Sequence, residues 1–506
     1  PANRSHTEEN KTLFQAWEWN VPADQKHYQR LLGALDQYKE IGITTIWLPP
    51  ACKAAAGSNG NGYDIYDLYD LGEFDQKGSV GTKFGTKDEL LRLCRKAKDL
   101  GIDVLFDAVL NHKAGADHTE KCKVVEVDEN DRTKEVGDPY EIEAWFGFDF
   151  PGRGDKYSKI KWHWEHFSGT DYNAENGKSA IYKVQGDNKH WSRSVANEQG
   201  NADFMMFADI DYAHPEVCED VIHWGEWVVK ELGLSAFRLD AVQHFSERFT
   251  TEFISNLEEK FGKDSIFIVG EYWDPDAQVM SDWLDQMAHK MSLFDSPLLN
   301  TFASISKEQN ADLRKVFDGS LVKMRPRDAV TLVTNHDTQV GQTVATPIEA
   351  FFKPLAYALI LLRNQGYPEI FYGDLYGTKK EDNPEGPVAH VAGLVLARKL
   401  YAYGEQDEYF NEANCVGFVR RGTADHPSGL ACVMSNTGPG EIKMAVGDMH
   451  AGEKWTDVLG NEDREVVIGP DGYGMFPCAS ISVSVWVSKD AQGRDRFGKF
   501  DLDIYG

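Results

Sequence analysis

Short runs of apolar, β-branched and aromatic residues alternate with stretches of helical periodicity along most of the chain. That alternation predicts βα units around a parallel sheet. Strands are expected at Leu13–Trp17, Ile43–Leu48, Ile102–Asp107, Ser235–Leu239, Ile266–Val269, Ser292–Phe294, Ala329–Val333 and Ile370–Tyr372. Eight such runs suit a closed barrel. Between them, Lys87 to Leu100 sets Leu90, Leu93 and Ala97 on one helical face and stops at Gly101, a C-terminal capping residue. Glu219 to Leu232 stops in the same way at Gly233. The most apolar stretch, Leu355 to Leu362, follows Pro354 and reads as a buried helix starting at that proline. It is far short of the roughly 20 residues that span a bilayer.

Two regions break the alternation. Residues 113–213 are aromatic and rich in Gly, Asp and Asn, with no βα unit, and a hundred residues are too many for a simple loop. They are expected to form a subdomain inserted after the third strand. From Gly404 onward, short alternating runs recur at Gly417–Val419, Leu430–Met434, Glu465–Ile468 and Ile481–Val487, which predicts an antiparallel β domain. The expected fold is thus α/β. A (β/α)8 TIM barrel is built from residues 1–112 and 214–403 and interrupted by the insertion 113–213. A β-sandwich follows at 404–506.

At 506 residues the chain exceeds one compact core, in keeping with that division. Its 81 Asp and Glu against 53 Lys and Arg give a net charge of −28, which argues against nucleic acid and anionic membranes as partners. A neutral polysaccharide fits, though acidity also serves solubility. The seven cysteines, Cys52, Cys94, Cys122, Cys218, Cys415, Cys432 and Cys478, include no C-x-x-C pair, against a disulfide framework or a zinc site. Reduced thiols in a cytoplasmic monomer are the simplest account. The polar segment Pro1 to Lys11 resembles a disordered tail rather than a signal peptide, and its sequons at Asn3 and Asn10 carry little weight. The start without Met leaves secretion after processing as the alternative.

Candidate chemistry lies directly after the expected strands. The segments are Phe106-Asp107-Ala108-Val109-Leu110-Asn111-His112, Phe237-Arg238-Leu239-Asp240-Ala241-Val242-Gln243-His244, Val269-Gly270-Glu271-Tyr272-Trp273 and Thr334-Asn335-His336-Asp337. Arg238 and Asp240, two apart on a strand, leave on the same face. A guanidinium beside a carboxylate lowers its pKa, so Asp240 reads as an ionised nucleophile, or else as half of a barrel-closing salt bridge. Glu271 beside Tyr272 and Trp273 has partly apolar surroundings that raise a carboxyl pKa, which suits a general acid. Otherwise it is a rim carboxylate bound to backbone donors. Asp337 would be a third carboxylate able to grip sugar hydroxyls while a ring distorts. His112, His244 and His336 converge with them, with His244 expected on the acceptor side.

These four blocks, in this order, resemble the signature segments of the α-amylase family of retaining glycoside hydrolases. Further matches are Gly62-Tyr63-Asp64-Ile65-Tyr66-Asp67, Phe150-Pro151-Gly152-Arg153-Gly154 and Ala208-Asp209-Ile210-Asp211-Tyr212, closest to the liquefying bacterial type. The resemblance runs from about Leu13 to Val487. It implies Asp240 as nucleophile, Glu271 as acid/base and Asp337 as transition-state stabiliser in hydrolysis of α-1,4-glucans such as starch or glycogen. It also implies Arg238, His112, His244 and His336 around the bound sugar, with Tyr63 as an aromatic platform framed by the loop Gly57 to Gly62.

A Ca²⁺ held by Asn111, Asp203, Asp209 and the His244 carbonyl is implied as well. Spacing alone would only have Asp209 and Asp211 cap a turn. Ser168 and Ser192 stand where liquefying relatives commonly carry aspartates that bridge further cations, so one ion is expected. Gln243 replaces the lysine often found before His244, which bears on products. An exo-acting or transglycosylating enzyme on the same fold is the alternative. A catalytically dead relative would be expected to have lost one of the three carboxylates.

Overall fold

The computed structural model describes residues 9–288 and 290–506. Most of the expected tail, with the sequon at Asn3, lies outside the described residues. Glu9 to Lys11 are packed against the body of the protein, unlike a disordered tail. The Asn10 amide donates to the carbonyls of Arg398 and Ala402, at 2.8 and 2.9 Å.

Eight parallel strands close a barrel, each hydrogen-bonded to the next and the last to the first. They are β1 (Leu13–Gln15), β2 (Thr45–Trp47), β3 (Asp103–Ala108), β4 (Ala236–Leu239), β5 (Phe267–Gly270), β6 (Ser292–Phe294), β7 (Ala329–Thr331) and β8 (Tyr367–Phe371). Each overlaps one of the apolar runs read from the sequence. Leu13, Trp47, Leu105, Ala236, Val269, Phe294 and Val330 fill the interior. A larger apolar layer lies between the strands and the surrounding helices.

Local signals place the helices. Thr86 caps Lys87–Asp99 through a reciprocal box with Glu89. The next expected helix begins earlier than Glu219, at Pro215, because proline at the first position presets φ and the His214 ring accepts from an N-terminal amide. It ends where Gly233 turns left-handed at φ 67°. Leu355 to Leu362 lies in the buried helix Lys353–Leu362. Among the described residues no helix is long and apolar enough to cross a membrane. All seven cysteines are free thiols.

The region after β3 is a six-stranded antiparallel sheet, ordered 112–113, 208–210, 167–173, 178–184, 118–127, 135–147. The sheet begins and ends on one strand pair, because Asp209 pairs with His112 and Ala208 with Lys113. The C-terminal region packs a six-stranded antiparallel sheet against the two-stranded sheet Gly440–Ala445/Tyr473–Cys478 around Val433, Trp455, Phe476 and Trp486.

Gly270 ends β5 one residue before Glu271. A Cβ there would lie 2.4 Å from the Met291 methyl and 3.2 Å from both Leu293 and Val242. We expect Gly270→Ala to lower unfolding stability by about 1–3 kcal/mol through overpacking. Thermal unfolding checks this, and an unchanged melting temperature would mean the rim repacks freely.

Candidate active site

One guanidinium organises the C-terminal mouth of the barrel. Arg238, wholly buried on β4, is paired in register with Asp107 on β3. Its NH1 group lies 2.9 Å from Asp107 and 2.9 Å from Asp240, and its NH2 group lies 3.1 Å from Glu271. Asp107 also accepts from the Tyr63 hydroxyl at 2.7 Å and from the Trp47 indole at 3.0 Å. The Glu271 oxygen that faces Arg238 also accepts from the Ala241 amide at 3.1 Å, and the side chain lies within hydrogen-bonding reach of Asp337. Ala241 takes φ 49°, so the chain turns sharply after Asp240 and presents that amide to Glu271.

The electrostatics differ from the sequence-based expectation for Asp240. Burial and the neighbouring Glu271 charge push its carboxyl well above the usual range, outweighing the pull of Arg238. Asp240 therefore holds a proton more tightly than an isolated carboxyl would. Burial would raise Asp337 too, but the His336 ring, 3.2 Å away, holds it below its ordinary value. Burial alone would depress Arg238. Asp107, Tyr63, Glu271 and Asp240 together raise it well above the free guanidinium.

The aromatic wall is equally ordered. The Tyr63 ring stacks on His336 at 5.0 Å between centroids, and His336 stacks on Trp17 at 4.5 Å. Gln15 donates to His336 Nδ1 at 3.1 Å, leaving Nε2–H to face Asp337. Burial lowers His112 to about 4, so its ring is neutral. Its Nε2–H donates to the Tyr63 carbonyl at 2.7 Å and its Nδ1 accepts from the Asn111 amide at 3.2 Å.

A cleft of about 1210 Å³ opens above this cluster, and Tyr63, His112, Asp240, Glu271, His336 and Asp337 line it. Two expected sugar contacts do not. Arg238 lies beneath the floor and acts through the carboxylates. The His244 ring turns to the Ala202 carbonyl at 2.6 Å and is not part of the cleft wall. Sequence reasoning missed several parts. Asp107 was inside a quoted segment but had no role until register placed it beside Arg238. Trp19, Lys83, Trp273 and the rim Met205–Phe207 also line the cleft. Gln243 is a buried strut. It donates to Glu198 of the insertion at 3.0 Å and accepts from the Trp273 amide at 3.0 Å.

Next to the cleft, the expected metal ligands lie around the strand pair that closes the insertion. The Asn111 carbonyl accepts from Ile210, and His244 touches the residue before Asp203. Burial raises Asp203 to about 7 and also raises Asp209, and each repels the other. Asn111 Oδ1 and Asp209 Oδ1 are buried without a hydrogen-bond partner. Unpaired hard oxygens next to mutually repelling carboxylates fit a cation. Among the described residues no three His, Cys, Asp or Glu side chains form a cluster by themselves, so an amide and a carbonyl would complete the set. Ser168 and Ser192 both lie here. Ser168 Oγ donates to Asp209, and the Ser192 amide donates to Asp203 at 2.8 Å.

A closed parallel barrel with an acidic, aromatic-walled cleft at its C-terminal mouth has the architecture of the barrel glycoside hydrolases. Residues 29–426 match the family model "Alpha amylase, catalytic domain". The chain is 44% identical over 484 residues to an α-amylase of Bacillus licheniformis, covering 95% of this chain and 94% of that one. It is 44% identical over 487 residues to a glucan 1,4-α-maltohexaosidase of Bacillus sp. strain 707, covering 96% and 93%. A crystal structure of an Anoxybacillus α-amylase shares the fold at TM-score 0.62 and 18% identity, covering 96% and 98%. The chain belongs to the α-amylase family, whose enzymes hydrolyse α-1,4-glucans.

A lysine at position 243 could still donate to Glu198 but could not accept from the Trp273 amide. We expect Gln243→Lys to move Trp273 and shift the chain lengths released from soluble starch, read by chromatography over time. An unchanged profile would show that the strut has no bearing on the cleft.

Proposed function

We propose that the protein is a retaining endo-hydrolase of α-1,4-glucosidic bonds in starch, glycogen and maltooligosaccharides. The observation that carries the reading is Arg238 holding Asp240 and Glu271 at once, which aims two carboxyl groups at one cleft. The proton favoured at Asp240 passes to Glu271, which gives it to the glycosidic oxygen as the bond to C1 breaks. Asp240 closes on C1 from the opposite face and forms a glycosyl ester. Glu271, now ionised, takes a proton from water, whose oxygen attacks C1 and releases Asp240. The two inversions retain the α-anomer. Asp337, kept ionised by His336, grips ring hydroxyls as the sugar distorts. Tyr63, backed by His336, gives the ring an aromatic face. Arg238 stays beneath, fixing the geometry throughout.

The same reading assigns one Ca²⁺ to Asn111, Asp203, Asp209 and the His244 carbonyl. The donors are hard oxygens, and the two unpartnered ones support the assignment. The ion would pin the insertion to the barrel and takes no part in the chemistry. The hydrogen bonds at Ser168 and Ser192 favour one ion over a cluster.

Two measurements test the chemistry. Retention requires a carboxyl separation of about 5–5.5 Å, and NMR should show the α-anomer released first. Initial β-products would sink the assignment. Asp240→Asn should lose on the order of 10⁴-fold or more in kcat with KM little changed, because its contribution is made in the transition state. Near-normal turnover would place the nucleophile elsewhere.

Calcium is tested separately. Metal analysis should find one Ca²⁺ per chain, and chelation should lower the melting temperature while activity persists below it. A thousandfold excess over Kd is worth about 4 kcal/mol. Three ions per chain, or indifference to chelator, would refute the assignment.

A further inference from the structure

The loop after strand 178–184 carries a lysine that the catalytic reading does not use. Lys189 reaches back under strand 167–173 with its side chain only 6% exposed. Its ammonium lies 2.7 Å from Asp211 Oδ2 and 3.2 Å from the Phe167 carbonyl, and it also donates to the Glu165 carbonyl. An ammonium has three N–H donors and no acceptor. Here three oxygens meet three donors, so the group is fully satisfied without water.

The oxygens are held by the fold rather than by the lysine. Glu165 and Phe167 flank the start of strand 167–173, and the Asp211 amide donates to the His166 carbonyl between them at 2.9 Å. The second Asp211 oxygen accepts from the Ala213 amide at 3.0 Å. One carboxylate and two carbonyls make a cage of charge −1, which matches a single positive charge. Asp211 also lies close enough to Asp203 and Asp209 to raise both, so without a counter-charge it would add to the repulsion there.

We infer that Lys189 is the tethered occupant of a monovalent cation site at the base of the insertion, and that the cage binds free K⁺ or NH₄⁺ when that side chain is removed. Such a cation is large and weakly hydrated enough to be held by backbone carbonyls, as the ammonium is. The cage adjoins the proposed Ca²⁺ ligands but shares no residue with them and does not depend on that assignment.

The test is thermal unfolding at saturating Ca²⁺ and fixed ionic strength, with tetramethylammonium chloride exchanged stepwise for KCl or NH₄Cl. Tetramethylammonium has no N–H and is too bulky for the cage. Lys189→Ala should melt about 3–10 °C below the parent in tetramethylammonium, because it leaves Asp211 buried and unpaired. K⁺ or NH₄⁺ should restore much of that loss with a logarithmic concentration dependence, while the parent stays indifferent. Equal melting in all three salts would overturn the inference. If Lys189→Ala does not fold, amine acylation of the unmodified protein followed by mass spectrometry decides. Lys189 should react far more slowly than Lys121, whose side chain is 70% exposed. Equal rates would overturn it.

Discussion

A single buried guanidinium at the mouth of the barrel sets what its neighbours are able to do. Arg238 has no path to water, so its charge has to be answered by protein, and Asp107, Asp240 and Glu271 answer it. Removing the guanidinium would leave the carboxylates around it uncompensated in a low-dielectric site, which costs far more than losing an exposed pair would. The arrangement therefore acts as a template. It brings together carboxyl groups that repel each other, and that repulsion helps to raise Asp240. Tyr63 is tied to the same hub through Asp107, so the aromatic wall and the acidic floor move as one body.

The insertion is bound to that body by apolar contacts, among them Tyr212 stacked on Phe249 at 4.1 Å and Phe150 against Tyr66, and by polar ones that set its position. Gln243 links Glu198 to the backbone beside Glu271, the Ala202 carbonyl meets His244, and His112 is both a strand residue of the insertion and a wall of the cleft. Each of these bonds is directional, so they fix position more than they add stability. Burial of Asp203, Asp209 and Asp211 at the same junction works against stability unless positive charge is supplied. Lys189 supplies it for Asp211.

Much of this was legible in the sequence, for a physical reason. Most barrel strands lie in short apolar runs that are buried on both faces, which is how a parallel strand must read. The insertion was not legible as a sheet. Its longest hairpin is held partly by cross-strand charge pairs, Lys121 opposite Glu143 and Lys123 opposite Glu141, so it reads as a polar loop. The carboxylates of the cleft were visible because each follows a strand. Asp107 was not, since its importance comes from register with a residue 131 positions away. The direction of the Asp240 shift was misread for a related reason. The adjacent arginine is visible in sequence, whereas depth of burial and the opposing Glu271 belong to the folded state.

The way the insertion enters and leaves the barrel has a consequence for how this chain tolerates change. His112–Lys113 and Ala208–Ile210 pair with each other, so the whole excursion begins and ends on one short ladder beside the cleft. Residues near that ladder are shared with the barrel and have little freedom to vary. The turn between strands 167–173 and 178–184 is different, with Glu175, Asn176 and Gly177 exposed and the Glu175 and Gly177 amides hydrogen-bonded back to Asn173. Lengthening or replacing it adds only a modest loop-closure entropy and leaves the ladder alone. The insertion is thus a module with a fixed root and a free tip, at which new surface can be grafted without renegotiating the chemistry.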